Sequence, residues 1–190
     1  MPAAAGSRPR PRDMGAARNS AGVLVRETML PPGAGILAGS GTLYKSSVTR
    51  VGDIITTQIA IDLTGLASST TDADIIGTAG VCHIGQITAA VNGTIFGGAM
   101  KCWEVPATGA DDIDLFAATE ATGAYDALIT GLVETIVVDS NSAWANGEEL
   151  PIVADSIAAN KYLYLVNGES GTAGTYTAGR FIITLHGYAV

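Results

Sequence analysis

Ile55, Thr57, Ile59, Ile61 and Leu63 alternate with Thr56, Gln58, Ala60 and Asp62. A period of two sustained this long puts the large apolar groups on one face, which a half-buried β-strand requires and a helix cannot use. Further candidate strands follow at short spacing. Ile84–Val91 and Thr94–Val105 flank Asn92-Gly93, the dipeptide that best tolerates a type I′ turn, so a hairpin is predicted there. Asp112–Ala118 sets Ile113, Leu115 and Ala117 on one face and Asp112 and Asp114 on the other. Leu132–Val138, Lys161–Val166 and Arg180–Tyr188 complete the set. In the last, Phe181, Ile183 and Leu185 point one way, Thr184 and His186 the other.

Asn146-Gly147, Asn167-Gly168 and the glycines at 171, 174 and 179 punctuate these runs. Twenty-four glycines with few lysines, glutamates and glutamines leave little for long helices. Asp72–Ile76 and Asp155–Asn160 could each make a turn or two. Seven or eight short antiparallel strands imply an all-β chain, an antiparallel β-sandwich that is jelly-roll-like. The expected division is an extended basic, Gly/Pro-rich N-terminal arm over residues 1–50 and a sandwich body over 51–190. Without its first two or three dozen residues the chain keeps about 160, ample for a core of its own.

Charge separates arm from body more sharply still. Arg8, Arg10, Arg12, Arg18 and Arg26 stand against Asp13 alone in the first 26 positions, a net +4. The remainder sets Lys45, Arg50, Lys101, Lys161 and Arg180 against 17 acids, a net −12. A basic arm on an acidic body is a pattern of attachment, and those five arginines are the candidate docking residues. Nucleic acid is not the expected partner, because no aromatic is interleaved with the arginines and the acidic body opposes approach. An acidic protein lattice fits better, since arginine binds carboxylates in bidentate fashion and an extended segment can follow a groove. No apolar run reaches the length of about 20 residues that spans a bilayer, and no apolar segment follows the leading arginines as a signal peptide would require.

The motifs that could carry chemistry do not complete themselves. Gly33-Ala-Gly35-Ile-Leu-Ala38 matches the letters of a dinucleotide fingerprint, but Pro31-Pro32 precede it and Gly39-Ser-Gly41 follow, so a flexible linker is expected. Cys82, His83, Cys102 and His186 lack zinc-ligand spacing, and two cysteines are too few for a disulfide framework; buried free thiols are expected. Neither histidine follows a nucleophile elbow. Asp111, Asp112 and Asp114 fail the calcium-loop frame at Phe116 and Gly123, which leaves a solvated acidic rim, or a cation held between subunits. Few Trp and Tyr are present for a sugar platform. No enzyme activity, cofactor or metal is expected.

The segments Ile84–Met100 and Ile113–Gly123, with Asn160–Val166 and Gly174–Leu185, resemble small structural proteins of tailed bacteriophages, over roughly residues 53–190. The resemblance is to head decoration or cement proteins. It implies a β-sandwich or jelly-roll module on the outer surface of the capsid in the virion, commonly a homotrimer. The implied partners are the major capsid protein and further copies of the chain. It brings no catalytic residues and no fixed binding motif. The alternative is a receptor- or carbohydrate-binding head or tail fibre module, which a groove lined by Trp103, Trp144 and tyrosines would favour.

Overall fold

The alternation that starts at Ile55 lies at the centre of a seven-stranded sheet. The computed structural model describes residues 16–18, 24–26, 29–153, 157–169 and 171–189, with side chains from residue 29 onward. In chain order the elements are β1 (Ala16–Arg18), β2 (Leu24–Arg26), the helical turn α1 (Ala34–Leu37), β3 (Leu43–Val51), β4 (Ile54–Asp62) and β5 (Ala67–Ser68). They continue as β6 (Gln86–Ile87), the helical turn α2 (Ala89–Asn92), β7 (Thr94–Ala107), β8 (Ile113–Ala118) and a 3-10 turn at Ile129–Gly131. The chain closes with β9 (Glu134–Val138), β10 (Glu149–Ile152), β11 (Lys161–Asn167), β12 (Gly174–Thr175) and β13 (Ala178–Tyr188).

All pairing is antiparallel. The large sheet runs β1-β2-β3-β4-β13-β7-β10, a four-stranded sheet runs β6-β11-β8-β9, and β12 pairs with β5. The protein is an all-β antiparallel sandwich. Ile59, Ile61, Met100, Phe181, Ile183 and Leu185 from the large sheet and Ile113, Leu115, Leu163 and Leu165 from the small one bury into a single apolar core. The expected parities of β4 and β13 hold: Ile55, Thr57, Ile59 and Ile61 are buried on one strand, and Phe181, Ile183 and Leu185 on the other.

Four expectations are corrected. Residues 29–50, expected in the arm, belong to the sandwich, because β3 pairs with β4 along its whole length and Leu30 and Ile36 enter the core. The sequence hid this because the inward side of β3 is Tyr44, Ser46 and Val48, of which two are polar. Tyr44 donates its hydroxyl to the carbonyls of Ile84 (2.6 Å) and Leu30 (3.0 Å), which ties the approach to β3 onto the body. Secondly, Gly33–Ala38 is no linker. Gly33 N–H bonds the His83 carbonyl at 2.7 Å, and a Cβ on Gly35 would sit 2.5 Å from Cys82 Sγ, so the glycines permit close packing.

The third correction concerns Asn92-Gly93, which joins the two sheets instead of closing a hairpin. β6 pairs with β11 in the small sheet and β7 with β13 and β10 in the large one, with α2 between them. Asn92 is buried, accepting from Thr88 N–H (2.8 Å) and donating to Thr57 Oγ1 (2.8 Å). Gly93 does adopt a positive φ, +71° with ψ −165°, so glycine is needed here for a link between sheets and not for a type I′ turn. Asp72–Ile76 makes a turn and isolated bridges rather than helix.

Candidate functional site

The large sheet has one face in the core and one face open, and the open face is where exposed aromatic side chains meet polar groups. Register fixes its membership. Leu43, Lys45 and Ser47 of β3 lie beside Asp62, Ala60 and Gln58 of β4, and these beside Arg180, Ile182 and Thr184 of β13. On β7 the pairing slips three times, between Ala178 and Arg180, between Arg180 and Phe181 and between His186 and Gly187, and the last two lie beside aromatic residues. Arg180 pairs with Glu104 and Phe181 with Cys102, so Trp103 has no partner on β13. His186 pairs with Gly97 and Gly187 with Ile95, so Phe96 is left over in the same way. Trp103 keeps the outward parity of Ala99 and Lys101, and the slip beside it brings Glu104 to the same face. The slip at Phe96 turns that ring onto the open face as well.

Trp103 is 60% exposed and forms a wall of a depression of about 330 Å³, whose floor includes Ala60 and Ile182 and whose rim includes Leu43, Lys45, Asp62 and Arg180. At the far end Phe96 stacks on His186 and Tyr188, with ring centroids 6.2 and 6.4 Å apart. Between them lies a second depression of about 440 Å³ over Gly98, Ala99, Gln58, Lys101, Glu149 and Thr184. Ile182 borders both. Five of the six charges of this face are paired. Arg180 Nε lies 2.8 Å from Asp62 Oδ2 and 3.3 Å from Glu104 Oε2, and Lys101 Nζ lies 3.3 Å from Glu149 Oε2.

The residues singled out in the sequence are scattered. Arg8, Arg10 and Arg12 lie outside the described residues. Arg18 ends β1 and Arg26 ends β2, and these strands extend the large sheet beyond β3. Trp144, whose place in a groove would have favoured the fibre-module alternative, is buried, donating its indole N–H to the Ile113 carbonyl at 2.8 Å and meeting Phe181 edge-on. Cys82 and Cys102 are buried and unbridged, and burial pushes both thiols up. His83 packs against Tyr162 with its Nδ1 buried and unbonded, and burial lowers its pKa, so it is neutral near pH 7. His186 sits on the open face, 3.5 Å from Thr56 Oγ1.

The acidic rim is also corrected. Asp111 is exposed, but Asp112 and Asp114 are buried and share one hydroxyl. Ser140 Oγ donates to Asp112 Oδ1 and, at 2.9 Å, to Asp114 Oδ1, which also accepts Ser140 N–H at 2.9 Å. Glu169 N–H donates to Asp112 Oδ2 at 2.9 Å. These bonds tie together the start of β8 and the chain just after β9 and β11. Burial raises the Asp114 carboxyl, helped by the charges of Asp112 and Asp139. Among the described residues no group of three or more His, Cys, Asp or Glu side chains is placed to hold a metal ion, and no helix is long and apolar enough to cross a membrane.

The open face was missed in the sequence because Phe96 and Trp103 fall on opposite parities of one strand. The slip at Phe96 brings them to the same side. Neither a family model, nor a curated protein, nor a solved structure matches this chain.

Proposed function

We propose that this is a non-enzymatic structural protein of a tailed-bacteriophage head, a decoration or cement protein that binds the assembled shell from outside. Its N-terminal arm would reach across neighbouring subunits and dock on carboxylates of the major capsid protein. A jelly-roll-like relation of the two sheets, an extended arm and a homotrimeric state belong to the same reading. The observation that carries it is the charge split between the first 26 residues and the rest. The sheet order supports it, because β1 and β2 connect that basic segment to the central strands through β3. Tension on the arm then loads a ladder of backbone hydrogen bonds. Many weak contacts repeated around a closed shell oppose expansion through multivalency.

The test is binding to shells of the parent phage that lack the protein. Replacing Arg8, Arg10, Arg12 and Arg18 with Ala should leave the melting temperature in place and remove salt-sensitive binding, most visibly at low ionic strength. Deleting residues 1–26 should also remove that binding, with β-type circular dichroism retained although β1 and β2 are lost from the sheet edge. Full occupancy by both variants would overturn the proposal.

The exposed Trp103 favours a second reading, a receptor- or carbohydrate-binding module, which is compatible with a place on the shell.

A further inference from the structure

We propose that the open face of the seven-stranded sheet is a binding trough for an uncharged polysaccharide, with Trp103 and Phe96 as its two ring platforms. The proposal concerns the isolated protein and stands independently of the capsid reading.

The two rings are seven residues apart on β7, roughly 23 Å at strand rise. That separation suits a chain of several sugar rings and exceeds what one small molecule would bridge. Trp103 stands on this face by ordinary alternation and Phe96 is brought to it by a bulge, a device that concentrates where a sheet must aim a side chain at a ligand. Between the rings the floor is low, because β7 places Gly97, Gly98 and Ala99 there, and Ala60 and Thr184 continue it on β4 and β13. Gln58, Lys101 and Glu149 rise beside the floor as donors and acceptors. Sugars need this combination, since their C–H faces pack on aromatic rings while their hydroxyls demand hydrogen bonds around the edge.

Charge selects the occupant. Among the described residues of this face, Lys45, Lys101 and Arg180 balance Asp62, Glu104 and Glu149, and five of these six lie in ion pairs. The face is therefore neutral on a body of net −12. The basic arm finds no surplus of carboxylate here, and a polyanion finds no surplus of cations. A second protein copy fits poorly as well. Protein interfaces place apolar residues at the centre and polar ones at the rim, whereas here the aromatic groups sit at the two ends and the polar groups between them.

The experiment is affinity electrophoresis of the full chain through gels containing dextran, galactomannan, xyloglucan or laminarin, with alginate as the anionic probe. At least one uncharged polymer should retard the protein. Trp103→Ala and Phe96→Ala should each weaken that retardation about tenfold, a loss of about 1.4 kcal/mol, without moving the melting curve. Adding the retarding polymer's oligosaccharides should change the fluorescence of exposed Trp103, and Trp103→Ala should abolish that change. The proposal fails if no uncharged polymer retards the chain, if alginate binds more tightly, or if retardation survives both substitutions. It fails equally if the chain forms a concentration-dependent dimer that Trp103→Ala abolishes, because the face would then be an interface between copies.

Discussion

Arg180 and Asp62 face each other across the β4–β13 ladder, with the guanidinium Nε 2.8 Å from Oδ2. The two ends of this pair live in different solvents: the Arg180 side chain is 54% exposed and that of Asp62 only 8%. Most of what holds the carboxylate is therefore Thr64, whose hydroxyl (2.6 Å) and backbone N–H (3.0 Å) both donate to Oδ1. Burial would raise the Asp62 carboxyl. The Thr64 bonds together with Arg180 outweigh it and hold the pKa below its ordinary value.

Two substitutions separate these contributions. Arg180→Gln should cost about 0.2–1 kcal/mol, as for other solvent-screened pairs. Thr64→Val should cost more, about 1–3 kcal/mol, because it removes a donor from a buried charge. A group with a depressed folded pKa lends stability above its unfolded pKa and loses it as pH falls through the folded one. Both penalties should thus shrink in melts run below pH 3. A larger loss for Arg180→Gln than for Thr64→Val would reverse this ranking.

Asp114 carries the opposite sign. Its folded pKa is raised, so the folded state holds a proton more tightly than the unfolded chain does. The stabilisation is complete below the ordinary carboxylate range and is lost as pH rises through the raised value. Asp114→Asn keeps an acceptor oxygen for Ser140 and removes the buried charge. It should raise the melting temperature at pH 7 relative to the parent, with the gain vanishing near pH 3. Ser140→Ala should instead destabilise by about 1–3 kcal/mol, since both carboxylates lose their shared donor. Equal melting of Asp114→Asn and the parent at pH 7 would show that this carboxylate is not strained.

Gly93 tests the corrected link between the sheets. Its φ and ψ lie where glycine alone is at ease, and a Cβ there would stand 2.3 Å from the Tyr188 carbonyl oxygen. Backbone strain and the clash act together, so Gly93→Ala should cost on the order of 2–4 kcal/mol. A hairpin turn at the same place would suffer the strain without the clash. A loss under about 1 kcal/mol would mean that β13 does not pass behind this glycine.

Legibility in the sequence followed one physical rule. Where one face of a strand is buried and the other wet, as at Ile55–Leu63 or Phe181–Leu185, period two is visible and parity follows from it. Where both faces are covered the signal disappears. β8 buries Asp114 as well as Leu115, and β11 buries Tyr164, whose hydroxyl donates to the Glu120 carbonyl at 2.8 Å. A buried aspartate reads as a solvated one because the residue does not announce Ser140, which lies 26 positions away. The open face stayed hidden for another reason: a bulge sets the direction of Phe96 and brings it to the side of Trp103, and bulges come from cross-strand register.

Phe181 and His186 test the two faces of β13 together. Phe181 is fully buried, with Trp144 packed edge-on at 5.3 Å. Phe181→Ala should cost about 3–5 kcal/mol through lost burial and the cavity left behind. At a melting shift of roughly 2–4 °C per kcal/mol for a chain of this size, the loss is readily measured. Trp144 fluorescence should shift to the red as water or slack replaces the ring. His186 lies on the other parity, stacked loosely on Phe96 and only 3.5 Å from Thr56 Oγ1, at the limit of a hydrogen bond. His186→Ala should therefore change stability by no more than about 0.5 kcal/mol, the range for surface positions. A mild effect at Phe181 beside a severe one at His186 would mean that the strand faces the core with its other side.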